Sequence, residues 1–390
     1  MLQAKSQAGR LTTLANLTRN EIYQLRKKTT FFCPVCQERV IIKAGMKMIP
    51  HFAHHSNSHC PSNEGGEGAY HEQGKLLLYK WLLQQKMNAQ LEAYIPEIRQ
   101  RADILLIINQ KKIAIEYQCA RIPITEIQKR NAAYKKAGIT PIWILGANHF
   151  QRQGKHKIRV NDFILHLMHQ FHPSRPLTLY FFDPNTTLFT TAQDLWLTKQ
   201  TQAMARLTFK KLASIRLTEL FIPLFFEKPV LFHEWRVLKR QFRLRPNQAR
   251  SGAELQWLRW LYQKGTHKDY LPSIIYLPIS TQYVINIPPW NWQSRICLDW
   301  IHPLSIGATF HILHLAKGFQ KYYNDQSQYT LISFVNNPIA EYLHYLYQLK
   351  FIEKVDKYRY RKLRDFDFYK NVEEAIRGDE QLMNQLILTF

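Results

Sequence analysis

Cys33-Pro34-Val35-Cys36 sets two thiols across a tight turn, and His51, His54, His55, His59 and Cys60 follow in the same short stretch. Zinc takes sulfur and nitrogen ligands in a tetrahedron, and a close Cys pair followed by a second ligand pair about 12–20 residues on is the spacing of small structural zinc units. Cys33, Cys36, His54 and Cys60 are the expected Zn²⁺ ligands, with His51 as the substitute. Four protein ligands leave no open position for water, so such a site is structural. The bland alternative is a loop of reduced thiols and solvated histidines; the density of Cys and His weighs against it.

A second constellation is acidic. Asp103 opens one apolar run and Glu116 lies in the next, with Gln118 two residues on and therefore on the same strand face. Two carboxylates at one sheet edge suit a hard divalent ion that keeps several waters, Mg²⁺ or Mn²⁺. Such an ion serves phosphodiester hydrolysis by activating water and neutralising phosphate charge. Upstream, Glu67, His71 and Lys75 recur at four-residue spacing and form one stripe of a helix, which could add a ligand, a proton shuttle and a phosphate contact. By spacing alone the stripe reads more readily as a solvated face. An acid inside Ala114-Ile115-Glu116-Tyr117-Gln118 is more telling, because burying it without a metal or partner is costly.

The elements that must position these residues are legible. Leu76, Leu77, Leu78, Trp81, Leu82 and Leu83 give a helix from about Glu67 or Tyr70 to Lys86 an apolar face. Strand-like runs follow at Gln90 to Ile95, Ala102 to Ile108 and Lys112 to Gln118, the last two joined by a turn at Asn109-Gln110-Lys111. A helix from Thr125 to Ala137, closed by Gly138, and a strand from Thr140 to Leu145 complete an α-β-β-β-α-β unit. The first 30 residues read as an irregular basic lead-in, and the chain beyond 156 as mostly helical.

With 390 residues, two or three domains are expected, and 53 Lys+Arg against 29 Asp+Glu give a formal net charge of +24. That surplus attracts polyanions, nucleic acid first and an anionic membrane surface second. The longest clean apolar run, Ile104 to Ile108, is too short to cross a bilayer, so no membrane insertion is expected. The polar N-terminal decapeptide lacks the core of a secretory signal, which points to the reducing cytoplasm.

Taken together, Cys33-Pro34-Val35-Cys36, Pro50-His51-Phe52-Ala53-His54, the Glu67/His71/Lys75 stripe, Arg101-Ala102-Asp103, Ile115-Glu116-Tyr117-Gln118-Cys119 and Pro141-Ile142-Trp143-Ile144-Leu145-Gly146 resemble the competence protein CoiA family over about residues 25–150. That family is similar to the PD-(D/E)XK nucleases. The resemblance implies an α/β fold with a restriction-endonuclease-like core at 64–155, a zinc-finger-like module within 1–63 and a helical, basic region at 156–390. It implies a metal-dependent endodeoxyribonuclease or junction-processing protein that acts in recombination of DNA taken up during natural transformation, alongside recombination proteins. Asp103 and Glu116 would hold Mg²⁺, Gln118 would align water and Glu67 would assist. Gln118 departs from the lysine usual in the superfamily and supplies no positive charge. The other reading is a DNA-binding accessory protein that keeps the fold as a scaffold with weak or no catalysis.

Between His233 and Lys264, cationic residues including Arg236, Lys239, Arg240, Arg243 and Arg245 alternate with Trp235, Phe242, Trp257, Trp260 and Tyr262. Cations for phosphates and aromatics for bases suit single-stranded or branched DNA. An amphipathic domain with core tryptophans and solvated arginines fits the pattern as well. Oligomeric state is not encoded in any pattern found.

Overall fold

The computed structural model describes residues 1–45, 49–55, 60, 68–246, 252–333 and 336–389. The stretch read as an irregular lead-in is ordered: β1 (Gln3–Ser6), β2 (Leu11–Thr13) and α1 (Arg19–Lys28) precede β3 (Phe31–Phe32), β4 (Arg39–Lys43) and β5 (His51–His54). Thr18 and Glu21 start α1 with a capping box, a sequence signature of the type Thr-x-x-Glu. The five strands form one sheet in the order β2-β1-β3-β4-β5, over a core of Ala4, Leu14, Ile22, Phe31, Val40, Ile42 and Phe52. The module thus owns an apolar core beside its cysteines, which the short 31–60 segment alone could not supply.

The expected α-β-β-β-α-β order is present as α2 (Ala69–Gln84), β6 (Asn88–Ile95), β7 (Gln100–Ile108), β8 (Lys111–Gln118), α3 (Ile124–Lys136) and β9 (Ile139–Gly146). Asn109 and Gln110 both take positive φ, 46° and 66°, and Ile108 pairs with Lys111, so the β7–β8 turn is a two-residue hairpin loop. β8 and β9 run parallel, as a crossover through α3 requires.

The sheet does not stop at 155. After β10 (Gln151–Arg152), β11 (Lys157–Arg159) and α4 (Asp162–Leu165), three long strands join it: β12 (Thr178–Asp183), β13 (Leu188–Lys199) and β14 (Gln202–Lys211). The nine-strand order is β10-β11-β14-β13-β12-β9-β8-β7-β6. The mostly helical reading of the chain beyond 156 is therefore corrected for these strands; the turn residues Asp183-Pro184-Asn185 and Gln200-Thr201 punctuate them. Helices dominate only afterwards, as α5 (Lys228–Leu244), α6 (Gly252–Gln263), α7 (Pro289–Arg295), α8 (Ile312–Phe319), α9 (Pro338–Gln348) and α10 (Val372–Thr389). A small sheet of β15 (Thr309–His311), β16 (Ile352–Lys354) and β17 (Arg359–Lys362) lies among them. Pro289 begins α7 at the position where a missing N–H costs nothing.

Candidate active site and metal centre

Helix α2 comes unusually close to the sheet, because a side chain at Gly74 would overlap the buried Tyr117 ring. That approach brings His71 flat against Tyr117, with ring centroids 5.6 Å apart and planes 12° from parallel. His71 Nε2 then lies 3.4 Å from Asp103 Oδ2, and the same carboxylate oxygen accepts from the Tyr117 backbone N–H at 2.9 Å. The two side chains keep 14% and 13% of their surface, which makes them the reachable members of the site.

One turn further along α2, Lys75 is fully enclosed. Its Nζ stands 2.8 Å from Glu92 Oε1, 3.6 Å from Glu72 Oε2 and 3.7 Å from Asp103 Oδ1. The expectation that Lys75 touches phosphate is corrected: burial turns its ammonium into the charge that holds three carboxylates together. Glu92 takes a positive φ of 47° within β6, and its other oxygen accepts the Leu2 and Gln3 N–H groups at 2.9 and 3.2 Å. The N-terminal module is thereby fastened to this cluster, with Leu2 buried in the apolar core between α2 and the sheet.

Glu116 is buried and turned toward α3. Arg130 donates to its Oε1 at 2.7 Å, and the Tyr134 hydroxyl donates to the same oxygen. Burial pushes its carboxyl up to about 7; Arg130 opposes that rise, and the nearby charge of Asp103 adds to it. Continuing the β7–β8 register by one step past Ile104 and Ile115 sets Asp103 beside Glu116. The two acids are thus neighbours across strands while their oxygens answer to different helices. Gln118 is half-buried and donates to the Ala120 carbonyl at 2.8 Å. Glu67 lies outside the described residues. Sequence reasoning missed Glu72, Glu92, Arg130 and Tyr134; Glu92, an acid inside an apolar strand run, carried the same signal as Glu116.

The sulfur and nitrogen cluster assembles as expected. Ligand atoms of Cys33, Cys36, His54 and Cys60 all lie within 4.8 Å of one another. Cys33 Sγ is 3.8 Å from Cys60 Sγ, and Cys36 Sγ is 3.3 Å from His54 Nε2. Tetrahedral bonds of about 2.0–2.3 Å to one ion put ligand atoms about 3.5–3.8 Å apart, so the four residues can hold a metal such as zinc. Burial and the adjoining thiols of Cys33 and Cys60 push Cys36 up to about 12, a thiol that a bound cation would help to ionise. His51, the alternative ligand, instead meets the Ile49 carbonyl at 2.9 Å.

In the basic segment the structure separates core from surface. Lys239 is buried, donating to the carbonyls of Ser273 and Ile275 and pairing with Asp379 at 3.2 Å. Arg243 is also buried and binds both Asp379 oxygens, at 2.9 and 3.0 Å. Neither reaches solvent, so the expectation that these two contact DNA is corrected; they tie α5 to α10. Arg245 is half-buried against Glu254. Arg236 is half-buried with its guanidinium 2.9 Å from His233 Nδ1, and Arg240 is exposed, 3.9 Å from Glu380.

The family comparisons cover most of the chain. Residues 67–224 match the model described as competence protein CoiA, nuclease-like domain; residues 231–376 match its C-terminal domain and residues 14–63 its N-terminal domain. The first of these spans α2 through β14, which is the sheet that carries the acidic cluster. The fold and site define a protein with a nuclease-like α/β domain. The chain is 31% identical over 284 residues to the competence protein CoiA of Bacillus subtilis (strain 168), covering 70% of this chain and 73% of that protein, and it belongs to the competence protein CoiA family. No solved structure matches it. Among the described residues, no helix is long and apolar enough to cross a membrane.

Proposed function

We propose that this protein is a metal-dependent DNA nuclease, or a junction-processing protein built on a nuclease-like domain, that acts on single-stranded or branched DNA during recombination of imported DNA. The observation that carries the reading is the convergence of Glu72, Glu92, Asp103 and Glu116 in one cluster, where their partners among the described residues include Lys75, Arg130, the Met1 ammonium and His71. Four carboxylates gathered in one place, inside a chain of net charge +24, form an oxygen-rich site of the kind a hard divalent cation takes. Asp103, the reachable acid, and Glu116 beside it would hold Mg²⁺ or Mn²⁺, which activates water and offsets phosphate charge. His71 bears on Asp103 and is open to solvent, so its imidazole can take or return a proton at Nε2. The Cys33, Cys36, His54 and Cys60 set would carry a structural Zn²⁺ that stiffens the module docked on Glu92.

A specific observation favours the accessory-protein reading as the second one. Glu116 and Glu92 already have buried partners, so ligating a metal means displacing Arg130 or Lys75. Cleavage assays on single-stranded, duplex and branched DNA with Mg²⁺ or Mn²⁺ separate the two readings. Metal-dependent cutting that is lost in Asp103→Ala supports the nuclease; tight binding with no cutting supports the accessory protein.

A further inference from the structure

From α7 onward the elements run helix, strand, helix, helix, strand, strand: α7, prolonged by a π-helical turn at Ile296–Ile301, then β15, α8, α9, β16 and β17. Their sheet has the order β15-β17-β16, antiparallel throughout. A first strand entering beside the last, with a hairpin on the far side, is the connectivity of a winged helix, a helix-turn-helix variant whose hairpin is the wing. Residues 320–337 stand where simpler helix-turn-helix units have a tight turn.

We propose that this unit binds the phosphates of duplex DNA, independently of sequence, through the β16–β17 wing and the outer side of α8. The inference rests on the DNA reading given above and adds the surface and the form of nucleic acid.

In helix-turn-helix proteins the recognition helix enters the major groove. Here α9 holds that place and is not free to do so. Ile339, Tyr342, Leu343 and Leu346 are buried, and Glu341 accepts from the Ser280 backbone at 2.7 Å and the Thr281 hydroxyl at 2.9 Å. Tyr342 packs its hydroxyl 2.9 Å from Cys297 Sγ. Base reading by α9 is therefore closed, and the exposed cations lie elsewhere.

Between residues 309 and 364 there are nine Lys and Arg against four Asp and Glu. Arg359 and Arg361 are paired with Asp356 at 2.5 Å and Glu353 at 2.6 Å. Lys317, Lys354 and Lys357 are exposed and have no acidic partner among the described residues, so they carry the surplus. Wing and helix are locked together: the Ile312 N–H donates to the Tyr358 carbonyl at 2.9 Å, and His311 stacks on Tyr358 at 5.8 Å. Lys357 at the wing tip and Lys317 on α8 are thus carried by one rigid unit, and such cations suit a backbone with one negative charge per about 1.7 Å of duplex.

The test is binding by the full chain, read as the slope of log K against log[salt] for wild type and a Lys317→Gln/Lys354→Gln/Lys357→Gln variant. Each is measured on a duplex of random sequence, a second duplex of different composition and a single strand of equal length. The variant is expected to lose a slope of about 0.9 per contact on duplex, about three in all, and less on the single strand, with no difference between the two duplexes. Equal thermal melts for variant and wild type exclude a folding artefact. If the variant keeps the wild-type duplex slope, the wing assignment falls while the DNA reading stands; if wild type binds no form of DNA, both fall. Loss of binding to anionic phosphatidylserine vesicles with an unchanged duplex slope also overturns the proposal and gives the surface to a membrane.

Discussion

Glu116 and Asp103 are adjacent acids held by different means, and that difference can be measured. The folded protein keeps the Glu116 proton up to about 7, against 4.5 for the free side chain, because burial outweighs the help of Arg130. Its contribution to stability is therefore full below about pH 4.5 and is lost as the pH rises to about 7, a loss of about 3 kcal/mol. The stability of wild type minus that of Glu116→Gln, from urea melts at pH 4.5 and pH 8, is expected to fall by about that amount; parallel curves would mean that Glu116 is not a buried titrating group. At the other constellation, Cys36→Ser removes one of four ligands gathered within 4.8 Å. Wild type is expected to carry one zinc per chain by elemental analysis, and the variant to lose it and melt earlier. Both sets were readable because each combines unusual residue types with tight spacing. What was not readable was the partner of each acid: Lys75 and Arg130 look like surface cations in sequence, and only the approach of α2 and α3 to the sheet encloses them.

That approach is set at the level of elements. Gly74 is required by contact with the Tyr117 ring and not by any turn, so Gly74→Ala should cost stability although Ala is the better helix former. A net loss of about 1–2 kcal/mol in denaturant melts is expected, with Gly154→Ala, where a side chain has room, within about 0.5 kcal/mol of wild type. In the C-terminal region, α5 and α10 are joined by Asp379 between Lys239 and Arg243. Asp379→Ala leaves two buried cations without their carboxylate and should cost about 3–5 kcal/mol. An unchanged melting temperature would contradict the geometry. The order from α2 to β9 could be read from apolar periodicity and from the turn at Asn109-Gln110. β12 was obscured because its buried, near-continuous apolar run, Leu179 to Phe182, lacks the alternation that marks a half-exposed strand. The same limit hid Lys239 and Arg243, since a helix pattern of cations every three or four residues does not tell which neighbour will cover it.

At the scale of the whole molecule, a chain of net charge +24 carries exposed lysines on α8 and the wing and gathers Glu92, Asp103 and Glu116 at one end of β6–β8. The N-terminal module closes over that end through Glu92, Leu2 and Gln3. On the proposed reading, affinity for DNA and chemistry on DNA would sit in different parts of the protein and should be separable by mutation. The most direct measurement is paired: cleavage rate and dissociation constant for wild type and Asp103→Ala, in one salt and one metal concentration, on the DNA form that wild type binds best. Asp103→Ala is expected to bind within about threefold of wild type and to cut at least about a hundredfold more slowly. A variant that cuts as fast as wild type would contradict the account, placing any activity outside the acidic cluster.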